Sequence, residues 1–129
     1  MIAQLEHTNL TVTDPEATAA WMERLFGWKI RWSGAAMQTG RTVHVGTDSQ
    51  YLALFSPGSP DAPQQSNYAT VGGLNHVAVV VPDLDAMEAQ VKAEGFETGN
   101  HGDYEPGRRF YFHDHDGIEY EVVSYSDGS

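Results

Sequence analysis

The chain contains no cysteine. That absence excludes a disulfide framework, thiolate metal ligands and a cysteine nucleophile. It is compatible with the cytoplasm, where we expect the protein to act. The opening residues, MIAQLEHTNL, also lack the basic segment followed by an apolar one that marks a secretory signal. No apolar run approaches the ~20 residues needed to span a bilayer, so we expect no membrane partner.

Basic residues are also scarce: seven stand against eighteen acidic ones, which gives a formal charge of −11. The only adjacent basic pair is Arg108–Arg109. A nucleic-acid binder needs clustered Lys and Arg to neutralise phosphates, so we expect no nucleic-acid partner. The sequence has neither a glycine-rich phosphate loop nor a G-x-S-x-G nucleophile motif.

An internal repeat organises the 129 residues. LEHTNLTVTDPEA aligns with LNHVAVVVPDLDA at an offset of 69, pairing Leu5 with Leu74 and His7 with His76. The length predicts a single domain, residues 1–129, with repeats at 1–56 and 73–126. Residues 57–72, rich in Pro, Gly and Ser, are predicted to link the repeats.

Each repeat predicts the order βαβββ. Asp14 and Asp83 are predicted N-caps, and Gly27 and Gly95 are predicted to end the two helices. The strands after the first helix are expected near residues 28–32, 42–46 and 51–55, and those after the second near 98–101, 109–113 and 118–124. The fold class is therefore α+β, with two tandem βαβββ modules.

Two histidines and one glutamate occupy related positions in the repeats. Because side chains alternate along a strand, His7 and Asn9 share the face opposite Leu10, and His76 occupies the equivalent place. Glu121 lies mid-strand, and its counterpart 68 residues earlier is Ala53, which cannot ligate. A symmetric pair of histidines with one carboxylate favours a metal site over satisfied core histidines. Such a set suits Fe2+ or Mn2+ and tolerates Zn2+ or Ni2+.

These features resemble the vicinal oxygen chelate superfamily, which includes glyoxalase I, extradiol dioxygenases, fosfomycin-resistance thiol transferases and bleomycin-resistance proteins. The resemblance covers essentially the whole chain and rests on the paired LxH strand starts and the segment FYFHDHDGIEYEVV. It implies a cupped mixed sheet around a metal with helices on the outer face, His7, His76 and Glu121 as ligands, and a homodimer.

The closing segment is similar to the extradiol dioxygenase signature. Gly99–Asn100–His101 starts it, Phe110–Tyr111 follows, and the turn at 114–117 leads to Glu121. The gap after His101 is one residue longer than in that signature, and His115 stands where a proline is expected. The resemblance therefore implies the architecture of the site more than the reaction.

Four further residues are candidates for the site. Tyr111 and His101 are predicted catalytic residues, although Tyr111 could be a core aromatic and His101 a loop histidine. Arg109 and Asn9 are predicted to bind substrate, although Arg109 could keep its head in water at the rim, which is the commoner arrangement. Glu119 is the reserve ligand. His44, His113 and His115 receive no role.

The predicted function is a divalent-metal-dependent enzyme acting on a small oxygenated substrate. The closing segment and Ala53 favour chemistry like that of extradiol dioxygenases. A lyase or isomerase of the glyoxalase I type is the first alternative. A binding protein of the bleomycin-resistance type, which holds a drug or metabolite without chemistry, is the second. A thiol transferase of the fosfomycin-resistance type is a third possibility, but the sequence shows no evident cluster of Lys, Ser and Arg to hold a phosphonate and a potassium ion.

Overall fold

A computed structural model describes residues 1–36 and 39–125 of the chain, which form two compact units, Met1–Ala62 and Pro63–Ser129. The first unit contains β1 (His7–Thr11), α1 (Pro15–Phe26), β2 (Lys29–Ala36), β3 (Gly40–Gly46) and β4 (Tyr51–Ser56). The second contains β5 (Val77–Val80), α2 (Leu84–Ala93), β6 (Thr98–Tyr104), β7 (Gly107–His113) and β8 (Glu119–Ser124). The predicted α+β class and the repeated βαβββ order are confirmed.

Each unit forms its own four-stranded mixed sheet. The strand order is β1-β4-β3-β2 in the first and β5-β8-β7-β6 in the second. β1 runs parallel to β4, and β5 runs parallel to β8, while the other neighbours are antiparallel. A parallel pair needs a crossover connection, and here the helix and the two following strands provide it.

The two helices begin at the predicted aspartates. The backbone N–H of Ala17 donates to Asp14, and that of Ala86 donates to Asp83, at 3.1 and 3.0 Å. Each carboxylate thus satisfies one of the backbone donors left free in the first helical turn. Gly27 adopts the left-handed conformation, at φ 69°, that ends α1.

One face of each sheet packs under its own helix. In the first unit Met22 and Leu25 of α1 are buried, as are Val43, Val45 and Leu54 of β3 and β4. In the second unit the buried set comprises Leu84, Val91, Phe110, Phe112, Tyr120 and Val122. The opposite face of each sheet is therefore the one that carries the polar side chains.

Two strands extend beyond their predicted ends. β2 continues from the predicted end at Trp32 to Ala36, and β6 continues from His101 to Tyr104. The added residues include Gly34 and Gly102, which have low strand propensity. They are strand residues because each pairs across a hairpin, Gly34 with Thr42 and Gly102 with Arg109. Within residues 1–36 and 39–125, no helix is long and apolar enough to cross a membrane.

Candidate functional site

His76 and Glu121 meet in the second unit. His76 immediately precedes β5, and Glu121 lies on the central strand β8 with 7% of its surface exposed. The His76 Nε2 atom is 3.0 Å from Glu121 Oε1. The structure thus brings together two of the three predicted ligands, with the atoms that would bind a metal facing each other.

Each ring nitrogen of His76 faces the oxygen of a neighbouring side chain. Its Nδ1 atom is 2.6 Å from the side-chain oxygen of Asn75, while its Nε2 faces Glu121. Both ring nitrogens therefore point at acceptor oxygens, but a neutral imidazole carries only one N–H. A cation bound by both Nε2 and the carboxylate would leave Nδ1 to donate its N–H to Asn75. The donor set consequently fits a divalent metal.

His7 repeats the arrangement in the first unit. Its Nδ1 atom is 2.8 Å from the carboxylate of Glu6, and its Nε2 has no hydrogen-bond partner among residues 1–36 and 39–125. An oxygen acceptor on the other ring nitrogen is the usual partner of a metal-binding histidine, because it fixes the tautomer and the ring orientation. Glu6 and Asn75 were not among the predicted site residues. The signal was present, since an acceptor residue precedes each repeated histidine.

Strand register confirms that Ala53 and Glu121 are equivalent positions. Asn9 pairs with Ala53 across β1 and β4, and Ala78, which is Asn9 shifted by the repeat offset, pairs with Glu121. The first unit therefore has an alanine, which cannot ligate a metal, at the position that corresponds to Glu121. Asn9 lies on the same face of its sheet as His7, as the alternation predicts.

Arg109 contacts Glu121 from the neighbouring strand. Its NH1 donates to Glu121 Oε2 at 2.8 Å, and only 13% of its side chain is exposed. The alternative of a rim arginine with its head in water is wrong, because Glu121 draws the guanidinium inward. Burial alone would lower the pKa of Arg109, but the hydrogen bond and nearby charge of Glu121 raise it on balance. Its Nε and NH2 atoms are buried without a partner among the described residues.

Tyr111 lies directly opposite Glu121 across β7 and β8. Its ring meets the His76 ring edge to face, with the ring centres 5.7 Å apart. Burial, followed by the charge of Glu121, raises the pKa of the Tyr111 phenol. Tyr111 is therefore a protonated hydrogen-bond donor at neutral pH, beside the His76–Glu121 pair.

His101 lies apart from this group of residues. A bulge in β6, in which Asn100 takes a positive φ of 54°, leaves His101 unpaired between Gly99 and Gly102. The His101 Nε2 atom is 2.7 Å from Glu88 of α2. Burial would raise the pKa of Glu88, but hydrogen bonds from Thr98 and His101 hold it below its ordinary value. The contacts of His101 therefore tie β6 to the helix.

Tyr68 is a residue that the sequence analysis missed. It lies in the predicted linker, yet its hydroxyl donates to Glu119, the reserve ligand, at 2.5 Å. That bond, more than burial, raises the pKa of Tyr68 to about 12. The Glu119 backbone N–H also donates to Ser66 Oγ at 3.0 Å. Residues from Pro63 onward thus pack on the second unit, beside the strand that carries Glu121.

A cavity of about 550 Å³ opens in the second unit beside these residues. Its walls include Tyr111, His113 and Glu119 from the polar face, together with Phe96, Phe112 and the start of β6. Across residues 1–36 and 39–125, no three His, Asp or Glu side chains gather at one point. The second unit by itself supplies the His76–Glu121 pair, and His7 belongs to the first.

Comparison with known proteins gives the chain a family. Its residues 4–122 match the model of the Glyoxalase/Bleomycin resistance protein/Dioxygenase superfamily. No curated protein sequence gives a significant match.

Several solved structures share the fold. A glyoxylase/bleomycin resistance protein/dioxygenase domain from a Frankia species has a TM-score of 0.79 at 20% identity, covering 96% of this chain and 98% of its own. A mutant of the Listeria monocytogenes fosfomycin resistance protein FosX, complexed with Mn(II) and dihydroxypropylphosphonic acid, has a TM-score of 0.75 at 23% identity, covering 95% and 93%. FosX from Mesorhizobium loti has a TM-score of 0.73 at 21% identity, covering 95% and 92%.

At these identities the solved structures establish the fold alone, while the family match extends over most of the sequence. The predicted resemblance is confirmed: the chain belongs to the Glyoxalase/Bleomycin resistance protein/Dioxygenase superfamily.

Proposed function

We propose that the protein is a divalent-metal-dependent enzyme acting on a small oxygenated substrate, with His7, His76 and Glu121 as the ligands. The observation that carries the proposal is the environment of His76. Both of its ring nitrogens face acceptor oxygens, and one of these belongs to the buried carboxylate of Glu121. A buried carboxylate and an imidazole aimed at each other are two donors of a metal site.

When bound, the metal supplies Lewis acidity and a template for the substrate oxygens. Two imidazoles and one carboxylate favour Fe2+ or Mn2+, and Zn2+ or Ni2+ are tolerated. The Mn(II) in the Listeria FosX complex supports a divalent metal, because that protein shares the fold. Glu6 and Asn75 would hold the two imidazoles in the tautomer that keeps Nε2 free.

The unpaired donors of Arg109 would bind an anionic oxygen of the substrate. Two buried N–H-bearing atoms without partners are costly, so a ligand that accepts from them is stabilised. The hydrogen bond to Glu121 keeps the guanidinium beside the ligand carboxylate. An anionic substrate bound here is therefore held next to the proposed metal.

Tyr111 and Asn9 would orient the substrate. The Tyr111 phenol, whose pKa is raised further above neutrality, keeps its proton and would donate it in a hydrogen bond to a substrate oxygen. Asn9, on the same sheet face as His7, offers an amide that both donates and accepts. The hydrogen bond between His101 and Glu88 holds the bulge of β6 against α2, so we assign His101 a positioning role.

The first reaction to test is extradiol-type ring opening, in which dioxygen contributes both of its atoms to a catechol. The segment Gly99–Glu121 and the non-ligating Ala53 support it. Isomerisation of the glyoxalase I type is the alternative. The unpaired donors of Arg109 favour a further candidate, a small phosphonate or other oxyanion. Binding without chemistry, as in bleomycin-resistance proteins, is the non-enzymatic alternative.

The test uses protein stripped with chelator and reloaded with Fe2+ or Mn2+. Its probes are catechols on an oxygen electrode, the hemithioacetal of methylglyoxal, and fosfomycin with water or a thiol. Turnover that is lost in His76→Ala and kept in His115→Ala supports the enzyme and names its reaction. Metal uptake without turnover of any probe would favour the binding protein. Failure of the wild type to take up metal would refute the proposal.

A homodimer and a cytoplasmic location stay predictions. Light scattering on the purified protein gives the mass directly. A mass near 28 kDa, twice the 14.2 kDa of one chain, is the expected result, and a mass near that of one chain would contradict the dimer.

A further inference from the structure

A row of four rings crosses the polar face of the first unit. Each strand contributes one ring: His7 from β1, Tyr51 from β4, His44 from β3 and Trp32 from β2. Neighbouring ring centres are 4.8, 4.6 and 5.2 Å apart. The register, in which His7 pairs with Tyr51 and Trp32 pairs with His44, places the rings on one face.

Trp32, on the edge strand β2, is the last ring of this row. A Cβ atom built on Gly34 would stand 2.7 Å from Cζ2 of the indole, so the indole lies directly over the glycine. Trp32 is nevertheless 51% exposed, which means that the other side of the indole is open. The edge strand therefore presents an aromatic surface on which a planar group can stack.

Arg31 adds a positive charge to the row. A register shift between Ile30 and Trp32 leaves Arg31 unpaired in the ladder. Its Cζ atom lies 4.3 Å from the centre of the Tyr51 ring. Stacking uses the face of a guanidinium and leaves its N–H edges available to a carboxylate.

In so acidic a chain it is unusual that the guanidinium of Arg31 has no carboxylate partner among the described residues. The positive charge of Arg31 acts on the carboxylates of Glu6 and Asp48 through space. However, Glu6 is bonded to His7, and Asp48 is bonded to Lys29. Within the described residues no carboxylate lies in ion-pair contact with Arg31, whereas Arg41 and Arg108 each have such a partner. An anion from solution can therefore bind at Arg31.

We propose that the ring row and Arg31 bind an aromatic carboxylate. Its ring stacks on the open face of Trp32, and its carboxylate accepts hydrogen bonds from Arg31. The inference rests on the proposed function, because His7, at the β1 end of the row, is a proposed metal ligand. The row is then the surface along which the body of the substrate lies.

The second unit also has an aromatic ring over a glycine with an arginine beside it, but there the arginine is paired with a carboxylate. A Cβ on Gly102 would stand 2.5 Å from the Tyr104 ring, and Arg109 lies 4.7 Å from the centre of that ring. Covering a glycine on an edge strand with an aromatic ring is also a purely structural device. Arg109 differs from Arg31 because it is bonded to Glu121. The charge of Arg31, which has no ion-pair partner in the part of the chain that the structure describes, thus distinguishes the first unit as a ligand surface.

The test is calorimetric titration of metal-free protein, kept in chelator, with three probes. 2-Naphthoate has the ring and the charge, cyclohexanecarboxylate has only the charge, and 2-naphthol has only the ring. We expect 2-naphthoate to bind most tightly. Trp32→Leu and Arg31→Gln should each weaken it by about fivefold or more. The indole N–H signal of Trp32 in a nitrogen-correlated NMR spectrum should shift as the probe is added.

Matched controls come from the same unit. Trp28→Leu removes an indole that packs on Phe26 outside the ring row, and Arg41→Gln removes an arginine already paired with Glu16. Both should leave the affinity for 2-naphthoate unchanged. Equal affinity for cyclohexanecarboxylate, or undiminished binding by Trp32→Leu, would overturn the inference. Absence of binding up to about 10 mM 2-naphthoate would also overturn it.

Two further outcomes separate this inference from the proposed function. If the row is covered by a second copy of the chain, Trp32→Leu will lower the mass in light scattering and 2-naphthoate will not bind, which overturns the inference. Metal uptake is measured in a separate titration. Uptake without aromatic binding overturns only the inference, and aromatic binding without uptake overturns only the proposed function.

Discussion

Replacing Asp114 with alanine should destabilise the second unit by leaving buried donors without acceptors. Asp114 begins the turn between β7 and β8 and is 8% exposed. Its Oδ1 accepts from the backbone N–H of Asp116 and Ile118, at 2.9 and 3.0 Å. Its Oδ2 accepts from the hydroxyl of Tyr120, a fully buried side chain, at 2.9 Å. This turn sets the register of the strand that carries Glu121.

The expected loss of unfolding free energy in Asp114→Ala follows from the two buried donors that lose their acceptor. Each buried donor left unpaired costs about 1–3 kcal/mol, so Ile118 N–H and Tyr120 O–H together cost about 2–6 kcal/mol. Whole domains are stable by only about 5–15 kcal/mol. Urea unfolding of Asp114→Ala, followed by far-ultraviolet circular dichroism, should therefore show a large fall in the midpoint. Asp114→Asn should cost less, because its amide oxygen still accepts and its amide N–H can donate to Tyr120.

A double-mutant cycle tests the reasoning. Because Asp114→Ala removes the carboxylate that accepts from the Tyr120 hydroxyl, adding Tyr120→Phe should recover about 1 kcal/mol or more relative to additivity. Strict additivity of the two substitutions would show that the hydrogen bond contributes nothing, and would refute the account of the turn. A stability loss below about 1 kcal/mol in Asp114→Ala would refute it as well.

Burial also gives Asp114 a pH signature. It raises the pKa of this carboxyl above its ordinary value of 3.8, despite the three hydrogen bonds that lower it. The folded state then holds the proton more tightly than the unfolded state. Stability attributable to Asp114 therefore falls as the pH rises through the interval above 3.8. Asp114→Asn should lose this component of the pH dependence.

Three further predictions concern other positions. In a spectrophotometric titration, Tyr68→Phe should remove a phenol that ionises near pH 12 rather than 10. It should also remove any stability that the wild type loses between those pH values. An unchanged titration curve would contradict the bond to Glu119. Asp83→Ala should lower the free energy of unfolding by about 1 kcal/mol in urea, because α2 loses its N-cap, whereas Asp61→Ala should not. Gly46→Ala should destabilise the first unit in thermal unfolding, since its Cβ would meet the Gln50 carbonyl oxygen at 2.2 Å; an unchanged melting temperature would contradict that contact.

The repeat made most of the architecture predictable. Two capping aspartates and alternating strands are local patterns, and an offset of 69 residues shows that the patterns occur twice. The same symmetry located His7 and His76 and matched Ala53 to Glu121, which the strand register confirms. Local spacing therefore predicted the elements, and the repeat predicted the candidate ligands.

The features that were not predicted depend on contacts between distant segments or on irregular register. Tyr68 reaches Glu119 because the segment after Pro63 packs back on the second unit, and composition gives no sign of that. His44 could not be assigned to a face until β3 was paired with β2 and β4. Bulges place Arg31 beside Tyr51 and leave His101 to bond Glu88, and a strict alternation cannot anticipate a bulge.

The metal content of the protein tests the central claim most directly. Protein purified without chelator and without oxygen, then analysed for elements, should contain about one divalent metal per chain. His76→Ala should lose it, because both the imidazole and its pairing with Glu121 are gone. His115→Ala, which removes a histidine whose ring lies 5.1 Å from that of Phe96 in the same unit, should keep it. Equal metal content in all three proteins, or none in the wild type after reconstitution with Fe2+ or Mn2+, would contradict the account.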